Sequence, residues 1–317
     1  MKTILVTGGA GWLGGAIVRK LVGRGDRVVA ADLRFGPQAE ALAAGNANLV
    51  NATLDLTDGE EARRVIGEYR PDTVIHCAAI VGVLQCADAP ELSIRVNVGG
   101  MANLLEAMRQ TGVRRMIHVS TEETYGDFER PVIDEDHPQR PKSIYGLTKL
   151  AAENLGRTFA RNHEMECIHV RTCWVYGPDL PRPRMPKTYV DAALSGKAFR
   201  QASGGDFAVD QVHIDDTVDG IVLALDKADH RFDTYQIATG EAPTLGDVAD
   251  IVNRAVRGAS VTVEAGPYYL DDKILSVGKG ALNIARAKAE LGFKPRFPIE
   301  RGIRLLIDEA RNSAGRR

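Results

Sequence analysis

The residues best suited to chemistry are Tyr145 and Lys149, in the run Ser143-Ile144-Tyr145-Gly146-Leu147-Thr148-Lys149. Positions i and i+4 share one face of a helix, so the lysine ammonium can stand beside the phenol. A phenol titrates near about pH 10 and is a poor base at neutrality unless a nearby cation favours its phenolate. So paired, Tyr145 can take the proton of a secondary alcohol while a hydride leaves for a nicotinamide. Thr121 ends a strand-like run and its hydroxyl can orient that alcohol; Glu122 and Glu123 follow directly. The alternative is an ordinary Tyr/Lys pair on an amphipathic surface helix, the better reading of this spacing in isolation.

A second constellation changes that balance. Gly8, Gly11 and Gly14 lie between an apolar run, Ile4-Leu5-Val6, and apolar residues at helical spacing, Ala16-Ile17-Val18 and Leu21-Val22. A strand-to-helix turn of this kind suits a dinucleotide pyrophosphate, which needs a tight turn, close backbone approach and free N–H groups at a helix N-terminus. Asp32 stands at the end of the next apolar run, 18 residues beyond Gly14, where such folds place an acid for the adenosine ribose hydroxyls. A carboxylate there repels a 2′-phosphate and favours NAD over NADP, although Arg34 lies two residues on. Asp55 ends the third run similarly and can meet the adenine amino group.

These residues need rigid supports, and the pattern around them supplies strands and helices in alternation. Strands are predicted at Val28–Ala31, Leu49–Leu56, Thr73–Ala79, Arg115–Ser120 and Cys167–Cys173, and helices at Glu60–Tyr69, Leu92–Gln110 and Ser143–Asn162. Continuous apolar strands separated by helices imply an α/β fold with a doubly wound parallel sheet. After Arg171 the texture changes to a proline-rich basic loop at Gly177–Pro186, then shorter elements: helices near Tyr189–Ser195, Asp216–Asp226, Leu245–Val256, Ala285–Leu291 and Ile299–Ala310, and strands near Gln211–Ile214 and Tyr235–Ala238. We therefore expect a dinucleotide-binding domain from residues 1–173 plus roughly 209–240, and a smaller C-terminal substrate-binding lobe from roughly 174–208 plus 241–317.

The 317 residues are enough for a large core, and a net charge of −2 points to neither nucleic acid nor anionic membrane. Cys77, Cys86, Cys167 and Cys173 have no metal-ligand spacing, so no metal is expected and the thiols read as reduced. There is no signal-peptide pattern and no apolar run of about 18 residues. A cytoplasmic protein without a membrane partner is expected.

Taken together the motifs resemble the extended short-chain dehydrogenase/reductase superfamily, in its NAD-dependent epimerase/dehydratase family. Thr7–Gly14 is similar to the family's TGxxGxxG, His76-Cys77-Ala78-Ala79 to its HxAA, and Asn97 to the asparagine of its NVxG. Ser120–Gly126 is similar to STxExYG, Tyr145–Lys149 to YxxxK, Val175–Pro178 to VYGP, His213–Asp216 to the late VxDD, and Leu291–Pro295 to LGxxP. The resemblance implies a Rossmann domain and bound NAD, with Thr121 orienting a substrate hydroxyl, Tyr145 as base and Lys149 as its partner. It implies cofactor contacts from Gly8, Gly11, Trp12, Leu13, Gly14, Asp32, Leu33, Arg34, Asp55, Leu56, Cys77, Ala78, Ala79, Asn97, Ser120, Tyr145, Lys149, Cys173 and Val175. Substrate contacts are expected from Val81, Thr121, Trp174, Arg182 and Arg184. It also suggests a homodimer through the Leu92–Gln110 and Ser143–Asn162 helices.

In the family's sugar-nucleotide dehydratases an acid pair at Glu122 and Glu123 moves protons, the first usually being Asp. Two departures fall on substrate contacts. Trp174 stands where nucleotide-sugar members usually carry Asn, and Val209 where they usually carry a diphosphate-holding Arg. The resemblance therefore points first to an epimerase or dehydratase of a nucleotide sugar. An NAD-dependent dehydrogenase of a non-nucleotide polyol or sugar acid, and a non-catalytic NAD sensor, are the alternatives.

Overall fold

A computed structural model describes residues 2–271 and 273–314. By internal contacts the chain forms two units. Unit 1 comprises Met1–Gly126, Pro138–Arg171 and Gly220–Tyr235; unit 2 comprises Asp127–His137, Thr172–Asp219 and Gln236–Arg317.

Unit 1 opens with β1 (Thr3–Thr7), α1 (Trp12–Gly23), β2 (Arg27–Asp32), α2 (Pro37–Ala44), β3 (Leu49–Thr53), α3 (Gly59–Tyr69) and β4 (Thr73–His76). It continues through α4 (Val83–Asp88), α5 (Pro90–Ile94), a π turn at Arg95–Gly99, α6 (Gly100–Thr111) and β5 (Arg115–Thr121), which ends in a 3-10 turn at Glu122–Thr124. After β6 (Val132–Ile133), which belongs to unit 2, come α7 (Ile144–His163) and β7 (Glu166–Thr172). The remaining elements are β8 (Trp174–Tyr176), α8 (Lys187–Leu194), β9 (Phe199–Gln201), β10 (Gln211–His213), α9 (Ile214–Asp226), β11 (Thr234–Ile237), α10 (Leu245–Ala255), β12 (Val261–Val263), β13 (Tyr269–Leu270), β14 (Ile274–Leu275), β15 (Ala281–Leu282), α11 (Ala285–Leu291) and α12 (Ile299–Ala314).

The central sheet has the order β11-β7-β5-β4-β1-β2-β3. Its pairs β1–β2, β1–β4, β2–β3 and β4–β5 are parallel. The order reverses at β1, the switch point where ligands of doubly wound sheets bind beyond the carboxyl ends of the strands. Along β1, β4 and β5 the register aligns Leu5 with Val74 and Met116, and, two residues on, Thr7 with His76 and His118. Residues two apart share a sheet face. The first row is apolar and joins Leu104, Leu105, Met108, Ala152 and Cys167 in a buried cluster. The second is polar.

Several boundaries differ from the sequence expectation. The third strand stops at Thr53, not Leu56, because the Asp55 carboxylate turns the chain by accepting from the Thr57 N–H and hydroxyl, both at 2.8 Å. The fourth stops at His76, not Ala79; beyond it the Ile80 N–H is captured by Asn97 Oδ1 at 2.7 Å. The long helix expected from Leu92 begins at Pro90 and contains the π turn, which carries Asn97. Helix α2 was not expected, since it buries no residue and leaves no apolar periodicity.

In unit 2, β8 pairs with β10, β9 with β12 and β6 with β15, all parallel, and β13 with β14 antiparallel. A buried cluster of Trp174, Tyr176, Tyr189, Val209, Leu245, Val248, Val252 and Ile303 forms its core. Thr244 and Asp247 cap α10 reciprocally. Such two-residue and three-residue strands have too few side chains to show a period in the sequence.

Candidate functional site

The glycine turn is shaped by contact. Gly8 has φ of 70° and lies so near β4's exit that a Cβ would approach Ala78 N to 2.8 Å. A Cβ on Gly14 would stand 2.0 Å from Gly8 O, and one on Gly11 3.1 Å from the same oxygen. The start of α1 therefore sits on the turn itself, a fit only glycine allows. The helix has no side-chain cap and no acid in its first turn, so its positive dipole end suits an anion. Trp12 and Leu13 open this helix. Asp32 closes the arrangement from β2, accepting from Ala10 N at 3.0 Å and Leu33 N at 2.8 Å. Leu33 and Arg34 are exposed just beyond it. These residues fit the pyrophosphate and ribose of a dinucleotide.

Other expected cofactor residues serve as supports. The Asp55 carboxylate is held in its own turn, and Leu56 is buried in the core beneath Gly100. Asn97 is buried; its amide accepts from Ile80 N and donates to Ile80 O and Thr148 Oγ1, both at 3.0 Å. It ties the segment after β4, with Cys77, Ala78, Ala79 and Val81, to α7. Desolvation pushes the Cys77 thiol up to about 12. Ser120 directs its hydroxyl to Glu153 Oε1 at 2.6 Å, away from the strand end.

Helix α7 begins at Ser143, whose hydroxyl accepts from Gly146 N at 3.1 Å. A Cβ on Gly146 would lie 2.3 Å from Glu123 O, so the helix start rests directly on the turn after β5. That contact seats the first turn of the helix, which carries Tyr145, against the turn that holds Glu122 and Glu123. Thr121 Oγ1 accepts from Glu123 N at 3.2 Å, leaving its proton to donate. Glu122 is buried and Glu123 half-buried. One turn after Tyr145, Lys149 is buried at 3 % exposure, with Nζ 2.7 Å from His118 Nε2. Burial lowers its titration to about 8, while Cys77, Glu153 and Cys86 oppose that shift. Lys149 is thus mostly charged at neutral pH, the state needed beside a phenolate.

In unit 2, Trp174 is 4 % exposed and packs edge-on against Tyr268 and tilted against Phe207, ring centroids 5.7 and 5.8 Å away. Arg184 lies over its ring at 4.6 Å. Val209 is fully buried, Cys173 is buried with Sγ 3.5 Å from Asp210 Oδ1, and Val175 and Arg182 are half-buried. Among the described residues no group of three or more His, Cys, Asp or Glu could hold a metal, and no helix is long and apolar enough to cross a membrane.

Residues 4–238 match the model of the NAD dependent epimerase/dehydratase family. The chain belongs to that family. It is 29% identical over 320 residues to UDP-glucose 4-epimerase of Mycolicibacterium smegmatis, covering 99% of this chain and 100% of that one. It is 30% identical over 327 residues to dTDP-glucose 4,6-dehydratase of Xanthomonas campestris pv. campestris, covering 97% and 93%. Among solved structures it superposes on the dTDP-glucose 4,6-dehydratase DesIV of Streptomyces venezuelae with NAD bound, at a TM-score of 0.85 and 26% identity, covering 99% and 98%. Epimerases and dehydratases both stand among the family members it resembles, so membership gives the class of chemistry and leaves the reaction to the residues.

The motifs missed four residues of the polar interior, Glu153, Arg171, His118 and His169. Glu153, four residues after Lys149 on α7, meets Arg171 of β7 in a double hydrogen bond, Nε to Oε1 at 3.0 Å and Nη2 to Oε2 at 2.7 Å. Arg171 Nη1 also donates to Tyr125 Oη at 2.7 Å. His169 meets His118, Nδ1 to Nδ1, at 3.1 Å. The signals were an arginine inside a buried strand and a carboxylate in phase with Tyr145 and Lys149 on one helix face.

Proposed function

We propose that this protein is an NAD-dependent epimerase or dehydratase of a nucleotide sugar, with Tyr145 as the base. The observation that carries the reading is α7 resting on Glu123 O through Gly146, the residue next to Tyr145, with charged, buried Lys149 one turn further along the helix. Gly8, Gly11, Gly14 and Asp32 would hold the dinucleotide, and NAD supplies a reversible two-electron oxidant when bound. Thr121 donates to the substrate hydroxyl and fixes its direction. Tyr145 removes that hydroxyl's proton, and Lys149 favours the phenolate by its charge. Asn97 acts through the segment after β4. Glu123, less buried than Glu122, is the acid that would move further protons in a dehydration. In unit 2 we assign substrate contacts to Trp174, Arg182 and Arg184. The exposed apolar residues Leu92 and Ile94 on α5 and Leu147 on α7 support pairing with a second copy. The four free thiols suit a reducing, cytoplasmic setting.

The second reading is an NAD-dependent dehydrogenase of a polyol or sugar acid. It is favoured by Val209, which is fully buried in unit 2 and offers no charge to a diphosphate. Incubating the protein and NAD with UDP- and dTDP-hexoses, polyols and sugar acids, and following NADH absorbance and product mass, tests both. A product of equal mass or one water lighter, without accumulated NADH, supports the first. Stoichiometric NADH from a polyol or sugar acid overturns it in favour of the second. Tyr145→Phe is expected to abolish turnover and retain NAD binding; normal turnover in that variant removes Tyr145 as base.

A further inference from the structure

Three histidines lie side by side through the middle of the sheet. His76 on β4 and His118 on β5 are register partners, with stacked rings 5.5 Å apart. His118 and His169 on neighbouring β7 meet edge to face, ring centroids 5.3 Å apart. All three are buried, at 1 % exposure or less. Thr7 extends the row to β1, its Oγ1 2.7 Å from His76 Nδ1. In a sheet whose neighbouring row is Leu5, Val74 and Met116, a polar row four strands wide has a desolvation cost that core packing alone does not explain.

The row is hydrogen-bonded to α7 through Lys149 Nζ, 2.7 Å from His118 Nε2. An ammonium can only donate, so His118 Nε2 must accept and its proton must sit on Nδ1. That Nδ1–H then points at His169 Nδ1 at 3.1 Å, which must accept in turn, leaving the His169 proton on Nε2. His169 Nε2 has no hydrogen-bond partner, and a Cβ on Gly156 would lie 3.2 Å from it. The two contacts therefore define one tautomer for each ring. We propose that His118 is a positioning residue for the Tyr145/Lys149 chemistry: locked as the Nδ1–H tautomer by His169, it offers Lys149 a neutral acceptor that holds the ammonium in place and keeps it charged. The proposal rests on the reading of Tyr145 as base and Lys149 as its partner.

A neutral acceptor suits that task. A carboxylate facing Nζ would pair with the ammonium and mask its charge from the phenol; an imidazole takes one hydrogen bond and leaves the charge unneutralised. Burial, with Lys149 as the second cause, keeps His118 far below its ordinary titration, so it stays neutral beside the cation. The groups around Lys149 and His118 are His76 from β4 and Cys77 just after it, Cys86 from α4, His169 from β7, and Glu153 and Arg157 from α7 itself. Glu153 is paired with Arg171 and Arg157, so it does not replace His118 as acceptor.

The two ring nitrogens can be separated by substitution. A glutamine places its amide near Nε2, and an asparagine places its amide near Nδ1. His118→Gln should keep an acceptor for Lys149 and lose the link to His169; His118→Asn should do the reverse. The first measurement needs no substrate: nitrogen-15 NMR of the seven histidines, assigned by single substitutions, on the whole protein with and without NAD. At pH 7 His118 should carry its proton on Nδ1, with Nε2 as acceptor. A proton on Nε2 overturns the proposal.

The second measurement is the titration of Lys149 by carbon-13 NMR of its ε-carbon, assigned through Lys149→Met. His118→Gln should titrate within about half a unit of wild type, and His118→Asn about one unit or more lower. Equal values in the two variants, or values tracking only their thermal stability, overturn the proposal. In turnover of UDP-glucose or dTDP-glucose with NAD, the alkaline limb should move with Lys149 in His118→Asn alone. If Lys149→Met itself keeps full turnover, the reading of Tyr145 and Lys149 fails instead, and the tautomer of His118 still stands or falls by the first measurement.

Discussion

Unit 1 buries two cations a few residues apart in space, and they are treated in opposite ways. Arg171 is 2 % exposed and faces Glu153 through two hydrogen bonds, with Arg157 and Ser120 also on that carboxylate. Burial opposes both charges, but the pairing overcomes it: Arg171 is raised, and Glu153 is held well below the usual carboxylate range. Lys149, just as buried, meets a neutral imidazole, and burial brings it down to about 8. One cation is locked into its charged form. The other stands within reach of losing it. A buried charge facing its opposite holds strands and helix together; a buried charge facing a neutral acceptor remains available to a neighbouring group.

Exchanging the functional cation should have the largest effect on rate. Lys149→Met is expected to lower kcat by about a thousandfold or more, since a general base without its cation is protonated at neutrality. Its folding stability should be no lower than wild type. Lys149 titrates lower in the fold than when unfolded, so the folded state is penalised for holding the charge below pH 8. Measured kcat and a melting curve check both halves. A variant that loses activity because it melts would erase the distinction between the two cations.

Breaking the structural pair should do the reverse. Arg171→Met leaves the Glu153 carboxylate without its double donor, and removing one partner of a buried pair costs about 3–5 kcal/mol. Denaturant unfolding of Arg171→Met and Glu153→Gln should show losses of that order. NAD affinity measured well below the unfolding midpoint should change little. If Glu153→Gln is as stable as wild type, the network is not the clamp inferred here.

Much of this could be read from the sequence, and the limit has a physical cause. The strand–glycine–helix order, Asp32 and the Tyr145/Lys149 spacing are local, each set within a turn or a strand end. So were most of the strands of the sheet and the length of α7. The row Thr7–His76–His118–His169 is not local: its members are 42 to 69 residues apart in neighbouring steps, and only the register of β1, β4 and β5 brings them into line. His76 was legible as part of a motif, but its burial was not. Two-residue pairings such as β6 with β15, about 150 residues apart, left no pattern at all. Trp174 and Val209 were legible as departures from the family, and the structure adds that both are packed into unit 2's core.

The smallest effect expected concerns acid, and it bears on the same comparison because the histidine row, unlike the Arg171 pair, is neutral in the fold. Burial, with Lys149 as the second cause, lowers His76 to about 3, and burial lowers His169 to about 4. Unfolded, each titrates near about 6.5. Below that value the unfolded chain binds protons that the folded one refuses, so stability falls as the pH drops from about 6.5 toward 4 and is complete above it. At pH 5 His76 and His169 together should reduce stability by up to about 4 kcal/mol, at 1.4 kcal/mol per unit and about 1.5 units each, and His118, held low by the same burial, adds to that loss. Glu153 adds little between pH 7 and pH 5, because its folded titration lies far lower and its own loss begins only near about pH 4.5. Urea unfolding at pH 7 and pH 5 measures the difference. His169→Leu, which removes one of the three rings held neutral, should flatten that dependence by about a third while being less stable at pH 7. An unchanged pH dependence in that variant would mean that the row is not what refuses the protons, and that Lys149 is not faced by a neutral partner.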